Sequence, residues 1–297
     1  MTTSVGVAVW PADGDDGETL IKNADNALYQ SKEQGRNCYR MFAPAMNQRV
    51  QRRLSLEQSL IKAIAAAQFS LVYQSQHDLH EPGIVGYEAL IRWKDAGLGD
   101  VPPAYFIPLA EETRLIEPIG DWVLARALED ARRFPKDVRL AVNVSAVQLR
   151  DPKFPARVVE LLTHFKFPSG RLELELTESA TIAGDETIVA ALVELRRAGV
   201  RIAVDDFGTG YASLSYLRRL SVDVVKIDKS FIAGVGDSPA DSAIVLGIMG
   251  MAHGLNLTAV AEGVETDAQK DFLEVAGCDI AQGFLLGRPM PIDELGL

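Results

Sequence analysis

Beyond about residue 70, short apolar runs of strand length alternate with longer stretches whose apolar residues recur every three or four positions. That alternation is the mark of βα units built on a largely parallel sheet. Strand centres are predicted near Val72, Val85, Val142, Leu174, Val204, Val225, Val260 and Phe284. Helices are predicted around residues 122–134, 155–165, 186–198, 213–220, 242–253 and 267–276. Eight strands in about 240 residues is the usual scale of a (β/α)8 barrel.

The first 43 residues read differently. Residues 5–10 have strand character, Pro11-Ala12-Asp13-Gly14 reads as a turn, and a helix is predicted over 19–34, ended by Gly35, before a closing strand at 38–40. One helix and two strands are too little to bury an independent core, so this piece reads as the tail of a domain whose front is absent. Over 49–67 the apolar residues Val50, Leu54, Leu60, Ile61 and Ile64 predict an amphipathic helix joining the two parts. The expected division is 1–43, a linker helix over 44–66, and the barrel over 67–297.

An open doubly wound sheet alternates strand and helix as well. The polar residues at the strand ends favour the barrel. Glu88, Asn143, Glu175, Asp205, Lys226, Glu262 and Gln282 each follow one of the apolar runs. Groups from so many strands converge only if the strand ends form a ring, whereas an open sheet gathers ligands near its switch point.

The formal charge of −11 argues against nonspecific binding to DNA, which depends on Lys and Arg displacing counterions. It is compatible with a phosphate substrate if bound metal reverses the local sign. Cys38 and Cys278 suggest neither a disulfide framework nor a Cys-based zinc site, which makes a reducing cytoplasm the expected location. The apolar stretch 243–252 is too short to span a bilayer, and Met1-Thr2-Thr3-Ser4 lacks the layout of a signal peptide.

Glu88, Asn143, Glu175 and Asp205 offer hard oxygen donors suited to Mg2+ or Mn2+, and Asp206 extends the set toward a second ion. Two ions so held clamp the attacking and leaving oxygens of an in-line displacement at phosphorus, so the chemistry expected is phosphoester hydrolysis by a metal-activated water. Lys226 is placed to orient that water or neutralise phosphate charge, and Glu262 to take its proton. Gln282 offers an amide to a water or a ligand edge. Glu178 is placed to tie down the glycine-rich segment 208–215, and Arg92 offers a fork matched to phosphate or a guanine edge.

Each residue also has an ordinary explanation. An acidic residue at a strand end is more often a solvated group or a helix cap, Asp205-Asp206 alone reads as a turn, and Lys226 alone reads as a surface partner of Asp228. His253 reads as a satisfied histidine at a helix end, and Met249 and Met251 as core fillers. The conjunction at nearly every strand end outweighs these separate readings.

Taken together, Glu88-Ala89-Leu90 followed by Ile91-Arg92-Trp93, then Asn143-Val144-Ser145, Glu175-Leu176-Thr177-Glu178, Asp205-Asp206-Phe207-Gly208-Thr209-Gly210, Lys226-Ile227-Asp228, Glu262-Gly263-Val264-Glu265 and Gln282-Gly283-Phe284 closely resemble the EAL-domain phosphodiesterases of bacteria. The resemblance covers about residues 50–295. It implies a barrel whose first strand runs antiparallel to its neighbours, and cleavage of cyclic di-GMP to linear pGpG with Mg2+ or Mn2+. It implies metal ligation by Glu88, Asn143, Glu175, Asp205 and Asp206, Lys226 near the water, Glu262 as base or water holder, and Glu178 as anchor of the loop after Asp206. Gln74, Leu90, Arg92, Gln282 and Glu265 are implied contacts to the nucleotide. One departure is visible: the usual Tyr-Gln-Pro-Ile of the first strand is here Tyr73-Gln74-Ser75-Gln76. The first residues, with Pro11-Ala12-Asp13-Gly14 and Ala24-Asp25-Asn26-Ala27-Leu28-Tyr29, resemble the end of a GGDEF diguanylate cyclase domain whose signature half is missing, so no cyclase activity is expected and a longer parent protein with an upstream sensor is.

Two other functions are weighed against hydrolysis. A barrel of this kind can act as a cyclic di-GMP receptor without turnover, and a metal-dependent barrel can act on carbon acids through an enolate. Because every expected position is filled, hydrolysis leads. Ca2+ is expected to inhibit, and a homodimer is expected, with residues 213–220 as the contact.

Overall fold

The computed structural model describes residues 2–33, 35, 37–66, 68–178, 185–210 and 222–297, in two compact units, Met1–Ala66 and Ala67–Leu297. The expected helix at 213–220 lies outside the described residues.

In the first unit, β1 (Val5–Val7) and β2 (Tyr39–Met41) pair in parallel, with Val5 opposite Tyr39, and helix Gly17–Glu33 forms the crossover between them. Asp16 starts that helix by accepting the Thr19 N–H at 2.7 Å. A second helix, Pro44–Ala65, begins five residues earlier than the apolar pattern suggests. Pro44 fits there because the first helical turn needs no N–H.

The second unit is a closed barrel. The strands are β3 (Phe69–Asp78), β4 (Ile84–Asp95), β5 (Gly99–Val101), β6 (Arg139–Asn143), β7 (Leu172–Thr177), β8 (Arg201–Phe207), β9 (Val224–Ile227), β10 (Thr258–Glu262) and β11 (Ile280–Gln282). Around the ring the order is β3, β4, β6, β7, β8, β9, β10, β11 and back to β3. β3 runs antiparallel to both β4 and β11, and every other pair within the ring is parallel. A loop as short as residues 79–83 can join only antiparallel strands, and Asp78 shapes it by accepting the N–H groups of His80 and Glu81.

Three expectations need correction. The last strand is Ile280–Gln282, and Phe284 lies past it with nearly half its surface exposed, because the chain turns away at Gly283. β5 and helix Pro103–Glu112 were not anticipated: the helix begins between two prolines and carries Pro108 inside, a pattern that normally breaks helices. The helix expected over 122–134 runs from Ile116 to Asp130 and tightens into a 3-10 turn over Ala131–Arg133.

Candidate active site

Side chains two apart on a strand share a face. Ala203, Val224, Val260 and Ile280 form one buried apolar cluster inside the barrel. Each stands two residues before Asp205, Lys226, Glu262 and Gln282, so the polar residues occupy the next level of the same inner face. Apolar packing below and an opening above make a polar floor at the mouth.

Lys226 is the hub of that floor. Its side chain has no exposed surface, and its Nζ lies 2.6 Å from Glu262, 2.8 Å from Glu175, 3.4 Å from Asp205 and 3.7 Å from Glu88. The reading of Lys226 as a surface partner of Asp228 is excluded: Asp228 instead caps the short helix Lys229–Ile232 by accepting the Ser230 N–H. Glu88 receives the side-chain amides of Asn143 and Gln282, each at 2.6 Å, one on each oxygen.

Burial pulls the Lys226 ammonium toward losing its proton, but Glu175, Glu262, Glu88 and Asp205 outweigh burial and hold it well above the usual lysine range. Burial and the neighbouring Glu88 charge push the Glu175 carboxyl well up against the pull of Lys226. Glu262 is pushed up to about 8 by burial, which Lys226 opposes and Asp205 and Glu88 reinforce. At Glu88 burial also acts upward, yet Lys226 and the Gln282 and Asn143 amides prevail and hold it below the carboxylate range. Asp206 is raised by burial and by Asp205.

Adjacent residues in a regular strand face opposite ways, yet Asp205 and Asp206 both approach Glu262, with one oxygen from each of the three within 4.8 Å of the others. A β-bulge reconciles this. Val204 pairs with Val225 and Phe207 with Ile227, leaving Asp205 and Asp206 opposite Lys226 alone. Asp206 takes a left-handed backbone, φ 54°, which Asp tolerates better than most side chains. The strand does not end at the aspartate pair, as expected, but bends there. Glu88 likewise lies inside its strand, because β4 continues beyond the barrel to pair with β5.

Glu178 accepts the backbone N–H groups of Gly208 at 2.8 Å and Gly210 at 3.2 Å, directly after the bulge. Gly208 must lack a side chain: its φ is 98°, and a Cβ would lie 2.8 Å from the Phe231 ring. Leu90, Arg92 and Asn143 line a cleft of about 610 Å3 beside the floor. Glu265 is exposed just beyond β10, and its backbone N–H donates to Gln269 Oε1 at 2.8 Å. Thus Glu88, Asn143, Glu175, Asp205, Asp206, Lys226, Glu262, Gln282 and Gln74 come together at one mouth.

Gln76 was not singled out beforehand. Its amide donates to Gln282 Oε1 at 3.2 Å, Gln282 donates to Gln74 Oε1 at 3.1 Å, and Gln74 donates to the Gly287 carbonyl at 3.0 Å. The departure at Ser75-Gln76 therefore adds a glutamine to the network that orients Gln282. Its signal is the spacing: Gln74 and Gln76 stand two apart, which puts them on one face of the strand.

The donor set fits a divalent cation. Four carboxylates face one ammonium with Asp206 beside them, and Asn143 donates an amide hydrogen to Glu88, which leaves its carbonyl oxygen as a ligand. Among the described residues Glu175 Oε1 is buried without a hydrogen-bond partner, as an oxygen reserved for an ion would be.

Comparison with known proteins gives a consistent picture. The EAL domain profile matches residues 57–289, and that of the diguanylate cyclase GGDEF domain matches residues 1–38. The bifunctional diguanylate cyclase/cyclic di-GMP phosphodiesterase MucR of Pseudomonas aeruginosa is 41% identical over 99% of this chain and 44% of its own length. The cyclic di-GMP phosphodiesterase PdeR of Escherichia coli is 37% identical over 97% of this chain and 44% of its own. The chain thus spans less than half the length of these relatives. The solved structure of the PaMucR phosphodiesterase in its c-di-GMP complex superposes with a TM-score of 0.77, at 41% identity, over 81% of this chain and 99% of that one.

Proposed function

Because this chain belongs to the EAL-domain family, we propose that its barrel hydrolyses cyclic di-GMP to linear pGpG by in-line attack of water on phosphorus. The observation that carries this reading is the complete ring of oxygen donors around buried Lys226, with Glu262 against the same ammonium.

Glu88, Asn143, Glu175, Asp205 and Asp206 would hold Mg2+ or Mn2+, as one ion or two. When bound, such an ion polarises a phosphate oxygen and makes a water more acidic. Glu262 takes the proton as the water oxygen attacks phosphorus and the bond from phosphorus to the 3′ oxygen breaks, and the departing oxygen takes a proton from solvent to become the 3′-hydroxyl of pGpG. Lys226 fixes the Glu262 carboxylate and offsets negative charge building on the phosphate. Asn143 and Gln282 keep both oxygens of Glu88 oriented, the tether from Glu178 to Gly208 and Gly210 holds the bulge in place, and Gln74, Leu90, Arg92, Gln282 and Glu265 face the nucleotide.

We assign residues 1–43 to the GGDEF piece, 44–66 to a connecting helix and 67–297 to the phosphodiesterase barrel. In the test, the protein is incubated with cyclic di-GMP and Mg2+ and the products are separated by chromatography. Formation of pGpG that is lost with EDTA and in Glu88→Gln supports hydrolysis. Tight binding without product would instead make the barrel a receptor.

A further inference from the structure

Gly86 stands two residues before Glu88 on β4, the level that Ala203, Val224, Val260 and Ile280 make apolar on the other strands. Gln76 pairs with Gly86 and is 2% exposed, so it brings a buried amide to that level. Gly86 leaves room for it, since a Cβ there would lie 2.4 Å from Gln76 Oε1. A buried amide costs stability unless it is hydrogen-bonded. Gln76 meets that demand by donating from Nε2 to Gln282 Oε1 at 3.2 Å.

The other end of the Gln282 amide carries the consequence. Its Nε2 donates to Glu88 Oε2 at 2.6 Å and to Gln74 Oε1 at 3.1 Å, which commits both amide hydrogens. An amide keeps nearly the same shape when turned over, but its oxygen only accepts and its nitrogen only donates. A reversed Gln282 would set its oxygen against the Glu88 carboxylate and its nitrogen against Gln76 Nε2. The first of these mismatches weakens once an ion draws on Glu88. The second does not depend on the ion, so Gln76 is the contact that keeps Gln282 a donor with metal bound or absent.

We propose that Gln76 is a positioning residue for the metal site: it locks the Gln282 amide in the donor orientation and thereby holds Glu88 ready for the ion. This rests on the proposed metal-dependent hydrolysis and adds to it a residue that acts only through Gln282. Groups that orient a metal ligand from behind are worth about 10- to 100-fold in metal affinity.

The test measures the Mn2+ dissociation constant, from the paramagnetic resonance signal of the free ion, for the wild type, Gln76→Met, Gln282→Met and the double variant. Gln76→Met should weaken Mn2+ by about 10-fold and Gln282→Met by up to about 100-fold. The double variant should match Gln282→Met within about 2-fold, because nothing remains for Gln76 to orient. A residue that only fills space would give the same loss in both backgrounds. An unchanged Kd in Gln76→Met, or an equal further loss in the double variant, overturns the proposal. Should Gln76→Met fail to fold, Gln76→Leu replaces it in the same cycle; if neither folds, Gln76 serves the fold and the proposal falls. A wild type that binds Mn2+ without cleaving cyclic di-GMP refutes the hydrolysis alone, and the cycle still judges Gln76. A wild type that binds no Mn2+ refutes both.

Discussion

Lys226 Nζ lies 2.6 Å from the Glu262 carboxylate, and the lysine side chain has no surface in contact with solvent. A buried ammonium is tolerated only when paired, and here four carboxylates lie within reach. The same lysine that keeps the acidic floor together also sets the charge that the proposed base must work against.

Replacing Lys226 with Met removes the cation and leaves the acids buried. In EDTA at pH 8 the loss of stability should be about 3–5 kcal/mol, the usual cost of breaking a buried ion pair. At pH 5 the carboxyls take up protons and the loss should shrink. Urea unfolding at the two pH values checks this, and equal losses would contradict it. Turnover should fall by at least about 100-fold.

Asp206 carries both a left-handed backbone and a carboxyl crowded by Asp205. Asp206→Gly relieves both, so the metal-free protein should gain about 1 kcal/mol and melt about 2–4 °C higher. Hydrolysis should drop nonetheless because a ligand is lost. A variant that melts lower and retains full activity would show that the bulge is not strained and that Asp206 is dispensable.

The metal-free protein should lose stability as pH rises from about 5 to 8. Glu262, raised from 4.5 to about 8, and Glu175, raised well above 4.5, bind more protons folded than unfolded across that window, so unfolding is favoured as protons become scarce. Lys226 is raised above 10.5 and Glu88 lowered below 4.5, so their stabilisation is fully present throughout and adds no slope. Thermal melts in EDTA should fall with pH. Excess Mg2+ should flatten or reverse the trend and release protons on binding, which calorimetry in two buffers measures.

Ca2+ should occupy the carboxylates without supporting turnover, because a larger ion with flexible coordination positions water poorly. Added to the Mg2+ enzyme it should inhibit competitively with the metal. Full turnover with Ca2+ alone would remove the geometric argument.

Much of the barrel is legible in the sequence alone. Seven of the eight strand centres fall inside strands of the ring, because apolar runs and their turns are local signals. The eighth, Phe284, misled because an aromatic beside two leucines looks like strand but follows a turning glycine. Helix Pro103–Glu112 was hidden by its prolines, which are harmless at a first turn and tolerated once inside.

The candidate site was legible as a set of residue types, one or two per strand, since oxygen donors after apolar runs need no tertiary knowledge to be noticed. What the chain determines by itself is therefore which faces are apolar and which chemical groups each strand carries. Only barrel closure decided that Lys226 has no solvent and four acidic neighbours, that a bulge turns Asp206 beside Asp205, and that Gln76 reaches Gln282 across 206 positions of sequence. Strand and helix patterns are set by neighbours along the backbone, whereas burial, ionisation and hydrogen-bond partnership depend on distances that exist only after the ring has closed.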